Sequence, residues 1–114
     1  EIVRQGAARI LQFDTNRVGG ITQAVKVCAL AEAFELTVVP HAGQVHNYHV
    51  VASQPACPMA EYFPPQAIEV GNELPHWLFD GEPLAEGGAV RLNGLPGLGV
   101  TISPREPVRE IALD

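Results

Sequence analysis

The sequence is poor in positive charge. It holds seven Lys and Arg against thirteen Asp and Glu, a formal net charge of −6 with its four histidines neutral. Nucleic acids and anionic membranes are bound by clustered Lys and Arg, and no such cluster occurs, so both partners are set aside. Cysteine is scarce as well. Cys28 and Cys57 lie far apart, with no CxxC pair and no Cys/His spacing. This argues against a zinc site or a disulfide framework, and both read as small buried apolar side chains. Long apolar runs are missing too. Nothing approaches the roughly 18 residues of a membrane span, and the start lacks the charged and apolar regions of a signal peptide. A reducing, cytoplasmic setting is therefore expected. The chain opens on Glu1 with no Met, within residues that already read as helix, and is expected to be cut from something longer.

What is present describes a folded core. Hydrophobic residues make up 46% and charged residues 18%, too few charges for a charge-driven disordered segment. At 114 residues the chain is one domain or a piece of one.

Glu1 to Gln5 suit a helix that Gly6 can end in the left-handed conformation. Arg9 to Phe13 form a mostly apolar run, the pattern of a strand covered on both faces, and stop at Asp14. A polar loop is expected over Thr15 to Gly20. Helix resumes near Ile21, where Ile21, Ala24, Val25, Cys28 and Ala31 follow helical spacing and Leu30 and Phe34 fall opposite. Leu36 to Val39 read as a second strand ending at Pro40-His41, His46 to Ser53 as a short helix before Gln54-Pro55, and Met59 to Phe63 as a third strand. The alternation predicts parallel βα units over 1–63 and an α/β fold. From residue 64 onward proline, glycine and turn pairs dominate. A hairpin is expected across Gly87-Gly88, a bend at Pro96-Gly97-Leu98-Gly99 and a strand over Val100 to Ile102, within an irregular return segment over 64–114.

Each of the three expected strands delivers one ionisable side chain at or near its C-terminal end: Asp14, His41 and Glu61. The intervals are 27 and 20 residues, and a (β/α)8 barrel of about 250 residues repeats roughly every 30, so each interval fits one βα unit. Successive parallel strands would line the three groups along one rim. A neutral His is a natural general base near neutral pH, and a carboxylate on its other ring nitrogen fixes the tautomer. Asp14 and His41 form such a candidate pair. Glu61, across the mouth, could hydrogen-bond an oxygen on which charge develops. The plainer alternative is that Asp14 caps the next loop, His41 is a loop histidine and Glu61 is solvated, and spacing does not choose between the two.

Other groups are weaker candidates. His46 and His49, at i and i+3, lack a nearby third ligand and read better as a polar helix face than as a metal site. Gly97-x-Gly99 reads as a turn rather than a dinucleotide motif. Gly19-Gly20 open a helix and fit an anion site or a tight turn equally well. Ser53 and Ser103 lack a nucleophile-elbow context, and Trp77, Tyr62 and Phe63 read as core or interface anchors.

The stretches Gln12 to Thr22, Val39 to Gly43, Ala60 to Tyr62 and Pro96 to Val100 resemble, in order and spacing, the C-terminal part of the enolase superfamily, within its mandelate racemase/muconate lactonizing enzyme group. His41 to His49 followed by Pro58 to Phe63 is similar to the acid-sugar dehydratases of the rhamnonate type. The resemblance implies strands six to eight of a modified (β/α)7β TIM-type barrel followed by the return segment. It implies that His41, paired with Asp14, abstracts the proton α to a carboxylate and then helps the β-hydroxyl leave, and that Glu61 hydrogen-bonds the enediolate.

The resemblance also implies an essential Mg2+ held by three carboxylates on earlier strands. Those strands are expected upstream of Glu1, so no metal ligand is assigned within the chain. The chain alone is then expected to bind no Mg2+ and to be inactive, while the full-length protein is a hydro-lyase acting on an acid sugar. A racemase or epimerase of the same group is the alternative, which a Lys-x-Lys motif upstream would favour and its absence would disfavour, and a noncatalytic assembly module is another. Open strand edges imply self-association as a homo-oligomer or docking onto the N-terminal portion.

Overall fold

The apolar run at Arg9 to Phe13 and the β-branched run at Leu36 to Val39 come together as a parallel pair. In the computed structural model, which describes residues 1–65 and 74–104, strands β1 (Ile10–Leu11) and β2 (Thr37–Val38) set Ile10 beside Thr37 and Leu11 beside Val38. The same register carries on to Asp14 and His41, which form an isolated parallel bridge. Between these rungs the Val39 N–H donates to the Leu11 carbonyl at 3.0 Å and the His41 N–H to the Phe13 carbonyl at 2.7 Å.

Parallel strands need a crossover, which helices α1 (Thr15–Val18) and α2 (Ile21–Ala33) supply. Thr15 to Gly20 is thus not wholly a loop. Asp14 caps α1 by accepting from the Asn16 N–H, and Gly19 closes it with φ 106, so four residues suffice for a turn of helix. On α2 the buried stripe is narrower than expected. Ala24, Cys28 and Ala31 are buried, while Ile21 and Val25 are exposed. The three small side chains let the helix lie close against the sheet and α3 (Val45–Ser53), leaving the larger ones at its margin.

One core joins these pieces. Ala24, Cys28, Ala31, Val38, Val50 and Cys57 form its centre, with Leu11, Phe13, Val18, Leu36, Val51 and Ala56 packed around it. Cys28 and Cys57 serve there as the small apolar side chains expected, both free, with their sulfurs 3.6 Å apart. Burial pushes both thiols up, that of Cys57 to about 12.

The third expected strand, Met59 to Phe63, does not form. Pro58 and Pro64-Pro65 flank it and have no N–H to give a ladder. The Val38 N–H reaches instead to the Ala56 carbonyl, just upstream. The N-terminal helix is also shorter than expected: Glu1 to Gly6 make only a turn, bonded from the Gln5 N–H to the Glu1 carbonyl.

Beyond residue 73, α4 (Leu74–Leu78) leads into β3 (Phe79–Asp80), which pairs antiparallel with β6 (Thr101–Ile102). The hairpin is where it was expected: β4 (Ala85–Glu86) and β5 (Ala89–Val90) pair across Gly87-Gly88, both at positive φ, as a two-residue turn between twisted strands requires. Of the expected return segment, 66–73 and 105–114 lie outside the described residues. Trp77 is 56% exposed and is therefore no core anchor in this chain. Among the described residues no helix is long and apolar enough to cross a membrane.

Candidate active site

Asp14 and His41 leave the ends of neighbouring parallel strands, so the backbone register sets their side chains next to each other. The Asp14 Oδ2 lies 3.7 Å from the His41 Nδ1, longer than a hydrogen bond, and 3.5 Å from the Arg17 Nε. Its other oxygen, Oδ1, accepts the Asn16 N–H at 2.8 Å. Asp14 is therefore a helix cap and also the carboxylate beside the histidine. Arg17 is largely exposed, and such a surface pair contributes little. The His41 side chain is 51% exposed, with Nδ1 towards Asp14 and its ring edge-on to Phe63 at 6.3 Å between centroids.

Glu61 reaches the same place from the segment after α3. Its Oε2 accepts the Ala42 N–H at 2.6 Å, which ties the carboxyl to the residue following His41. The close packing of Gly43 allows this. A Cβ on Gly43 would stand 2.6 Å from the Phe63 nitrogen and 2.9 Å from the Glu61 carbonyl oxygen. All three sequence candidates thus meet around the His41–Ala42 peptide.

Two residues that the sequence reading did not single out hold this region. Asn47 is fully buried in the first turn of α3 and donates to the His41 and Ala42 carbonyls, at 2.8 and 2.6 Å, while accepting from the Thr15 hydroxyl. Glu82 accepts the Val45 N–H at 2.9 Å and so caps α3 from a distant part of the chain. Asn in a helical first turn was the only signal for the first, and contacts so remote in sequence leave none for the second. Glu82 lines a cavity of about 380 Å³ with Gln44, His46, Phe63, Leu78 and Phe79. Of the two histidines read as a polar helix face, His49 meets the Leu98 carbonyl at 3.2 Å, whereas the Nε2 of His46 is buried with no hydrogen-bond partner among the described residues.

Burial pushes the His46 imidazole below its ordinary value, and Asp14 pulls it part of the way back. Burial pushes the Glu82 carboxyl up, against the pull of the Val45 N–H. Folded Glu82 therefore binds more protons than unfolded Glu82 between its ordinary and raised values. Its stabilising effect is complete below the ordinary value and is lost as pH rises through the raised one. Glu82→Gln keeps an acceptor for the Val45 N–H but has no such dependence. Thermal melts of parent and variant are expected to agree in acid and to separate in favour of the variant above neutrality. Parallel pH curves would show that the burial of Glu82 has no energetic consequence.

Among the described residues no three His, Cys, Asp or Glu side chains cluster so as to hold a metal ion. Asp14 and Glu61 are engaged by backbone N–H groups, and Asp14 also faces His41, so the described residues do not by themselves fit a magnesium site.

The enolase C-terminal domain-like family matches residues 1–106. This chain belongs to that family. Among curated relatives, the L-rhamnonate dehydratase of Saccharopolyspora erythraea is 39% identical over 110 residues, covering 95% of the chain and 28% of the relative. Among solved structures, L-talarate dehydratase from a Polaromonas species, complexed with Mg and L-glucarate, has a TM-score of 0.75 at 32% identity, over 90% of this chain and 26% of that one. A racemase from Streptomyces coelicolor with bound magnesium has a TM-score of 0.73 at 28% identity, over 88% and 25%. The enolase C-terminal domain-like chain thus spans about a quarter of the length of these relatives, and its α/β fold is theirs over that stretch.

Proposed function

We propose that this chain is the C-terminal part of a magnesium-dependent acid-sugar dehydratase, in which β1 and β2 take the places of the sixth and seventh strands of a modified (β/α)7β barrel, the Glu61 segment stands without ladder pairing where the eighth would run, and 64–114 form a return segment. The observation that carries the reading is the register-matched bridge between Asp14 and His41, with Glu61 held on the next N–H. Because Nδ1 of His41 turns towards Asp14, Nε2 is the nitrogen left for substrate. Nε2 takes the proton α to the carboxylate, and the C–H electron pair becomes the enediolate. Glu61 hydrogen-bonds the oxygen on which charge gathers. The β C–O bond then breaks, and the leaving hydroxide takes the proton from His41 and departs as water. The resulting enol tautomerises to a 2-keto-3-deoxy acid.

Asp14 supports the imidazolium without itself taking the proton. Magnesium, held by residues outside this chain, would offset the enediolate charge. The chain alone is therefore inactive and takes the rest of the protein as its partner.

The test is turnover by the full-length protein, with Mg2+ present, of L-rhamnonate and of L-talarate, followed by NMR in D2O. A 2-keto-3-deoxy product is expected from one of them. Exchange of the α-proton with inversion and no loss of water would overturn the dehydratase reading in favour of a racemase, which the Streptomyces coelicolor neighbour keeps in view.

A further inference from the structure

We infer that Asn47 is a positioning residue for His41, acting through the backbone on either side of the His41–Ala42 peptide; this deepens the proposed function and rests on its reading of His41 as the base. Asn47 is 1% exposed, and a buried amide is tolerable only where its donors and acceptor are matched. Every partner of its side chain belongs to the site. Both amide hydrogens go to consecutive carbonyls, those of His41 and Ala42, and the oxygen takes the hydroxyl of Thr15, the residue after Asp14. One side chain thus joins the loops that leave the two bridged strands.

The need for such a clamp is visible at Ala42. Its φ of 74 is left-handed, a conformation that a residue with a Cβ adopts only when its surroundings hold it there. This backbone geometry aims the Ala42 N–H at Glu61. The His41 backbone is held on both sides, its N–H by the Phe13 carbonyl and its C=O by Asn47, while the ring itself is half exposed. With Asn47 removed, the two carbonyls and the strained residue are free to relax, and the imidazole swings with them. A misplacement of about 1 Å at a reacting group can cost about 10²-fold in rate.

The experiment compares Asn47→Ala with the parent full-length protein, on whichever of the two acid sugars it dehydrates, protiated and deuterated at the α carbon. Expected are a fall in kcat of about 30- to 100-fold per folded molecule, a KM within threefold of the parent, and a larger deuterium isotope effect on kcat as proton abstraction becomes limiting. A purely structural role lowers the folded fraction and leaves the isotope effect where it was. Should Asn47→Ala fail to fold, Thr15→Val removes only the hydroxyl that orients the amide. The same rise in isotope effect is then expected with a loss of about tenfold. An unchanged isotope effect in the folded variant, or kcat within threefold of the parent, overturns the inference. Dehydration that survives His41→Asn removes the proposed function beneath it, which is a different and separately visible failure.

Discussion

Replacing His41 by Asn is expected to lower kcat of the full-length protein about 10³-fold while leaving the melting temperature close to that of the parent. The rate loss follows from the proposed role: a positioned acid or base contributes roughly 10²- to 10⁴-fold, and in the proposed mechanism one imidazole both takes the α-proton and returns it to the leaving hydroxyl. The small structural cost follows from the surroundings. The ring is half exposed, and the backbone contacts of the residue, to the Phe13 carbonyl and from Asn47, do not involve its side chain. Loss of α-proton exchange with D2O should accompany loss of product. Exchange at the parent rate would mean that some other group removes the proton, and the assignment of His41 would fall.

The second large effect is expected at Gly43. This residue is buried, and its side-chain position faces backbone at every near approach: the Phe63 nitrogen at 2.6 Å, the Tyr62 Cα at 2.7 Å and the Glu61 carbonyl oxygen at 2.9 Å. A flexible side chain could move aside, but backbone atoms cannot do so alone. Gly43→Ala should therefore push the Glu61–Phe63 segment outward and cost about 1–3 kcal/mol, the usual range for an overfilled interior. The same movement pulls Glu61 away from the Ala42 N–H, so kcat should fall together with stability, by about tenfold or more. Parent values for both melting temperature and kcat would show that the segment is not seated as tightly as the contact implies.

The two strand ends were legible because apolar and β-branched runs stop abruptly at Asp14 and at Pro40-His41, and the hairpin because Gly87-Gly88 admits few alternatives. The register between β1 and β2 repeats the spacing of Asp14 and His41, so an interval in the sequence became a contact in the fold. Met59 to Phe63 misled because its composition suits a strand while the flanking prolines deny it a ladder. The β3–β6 pair has only two residues per strand, too short for any periodicity to register. Asn47 and Glu82 were missed for a different reason. Their roles lie in bonds to backbone groups brought near only by folding, and residue type alone does not announce such bonds.

The shared register of the first two strands has a consequence for how such a protein can change over time. Adjacent parallel strands lie about 4.7–4.9 Å apart whatever loops follow them, so the separation of Asp14 and His41 is inherited from the sheet itself. Loops beyond the rim can lengthen, shorten or exchange residues without disturbing it. What the lineage cannot vary is the phase of one strand against the other, because a slip of one residue would turn one of the two side chains to the opposite face.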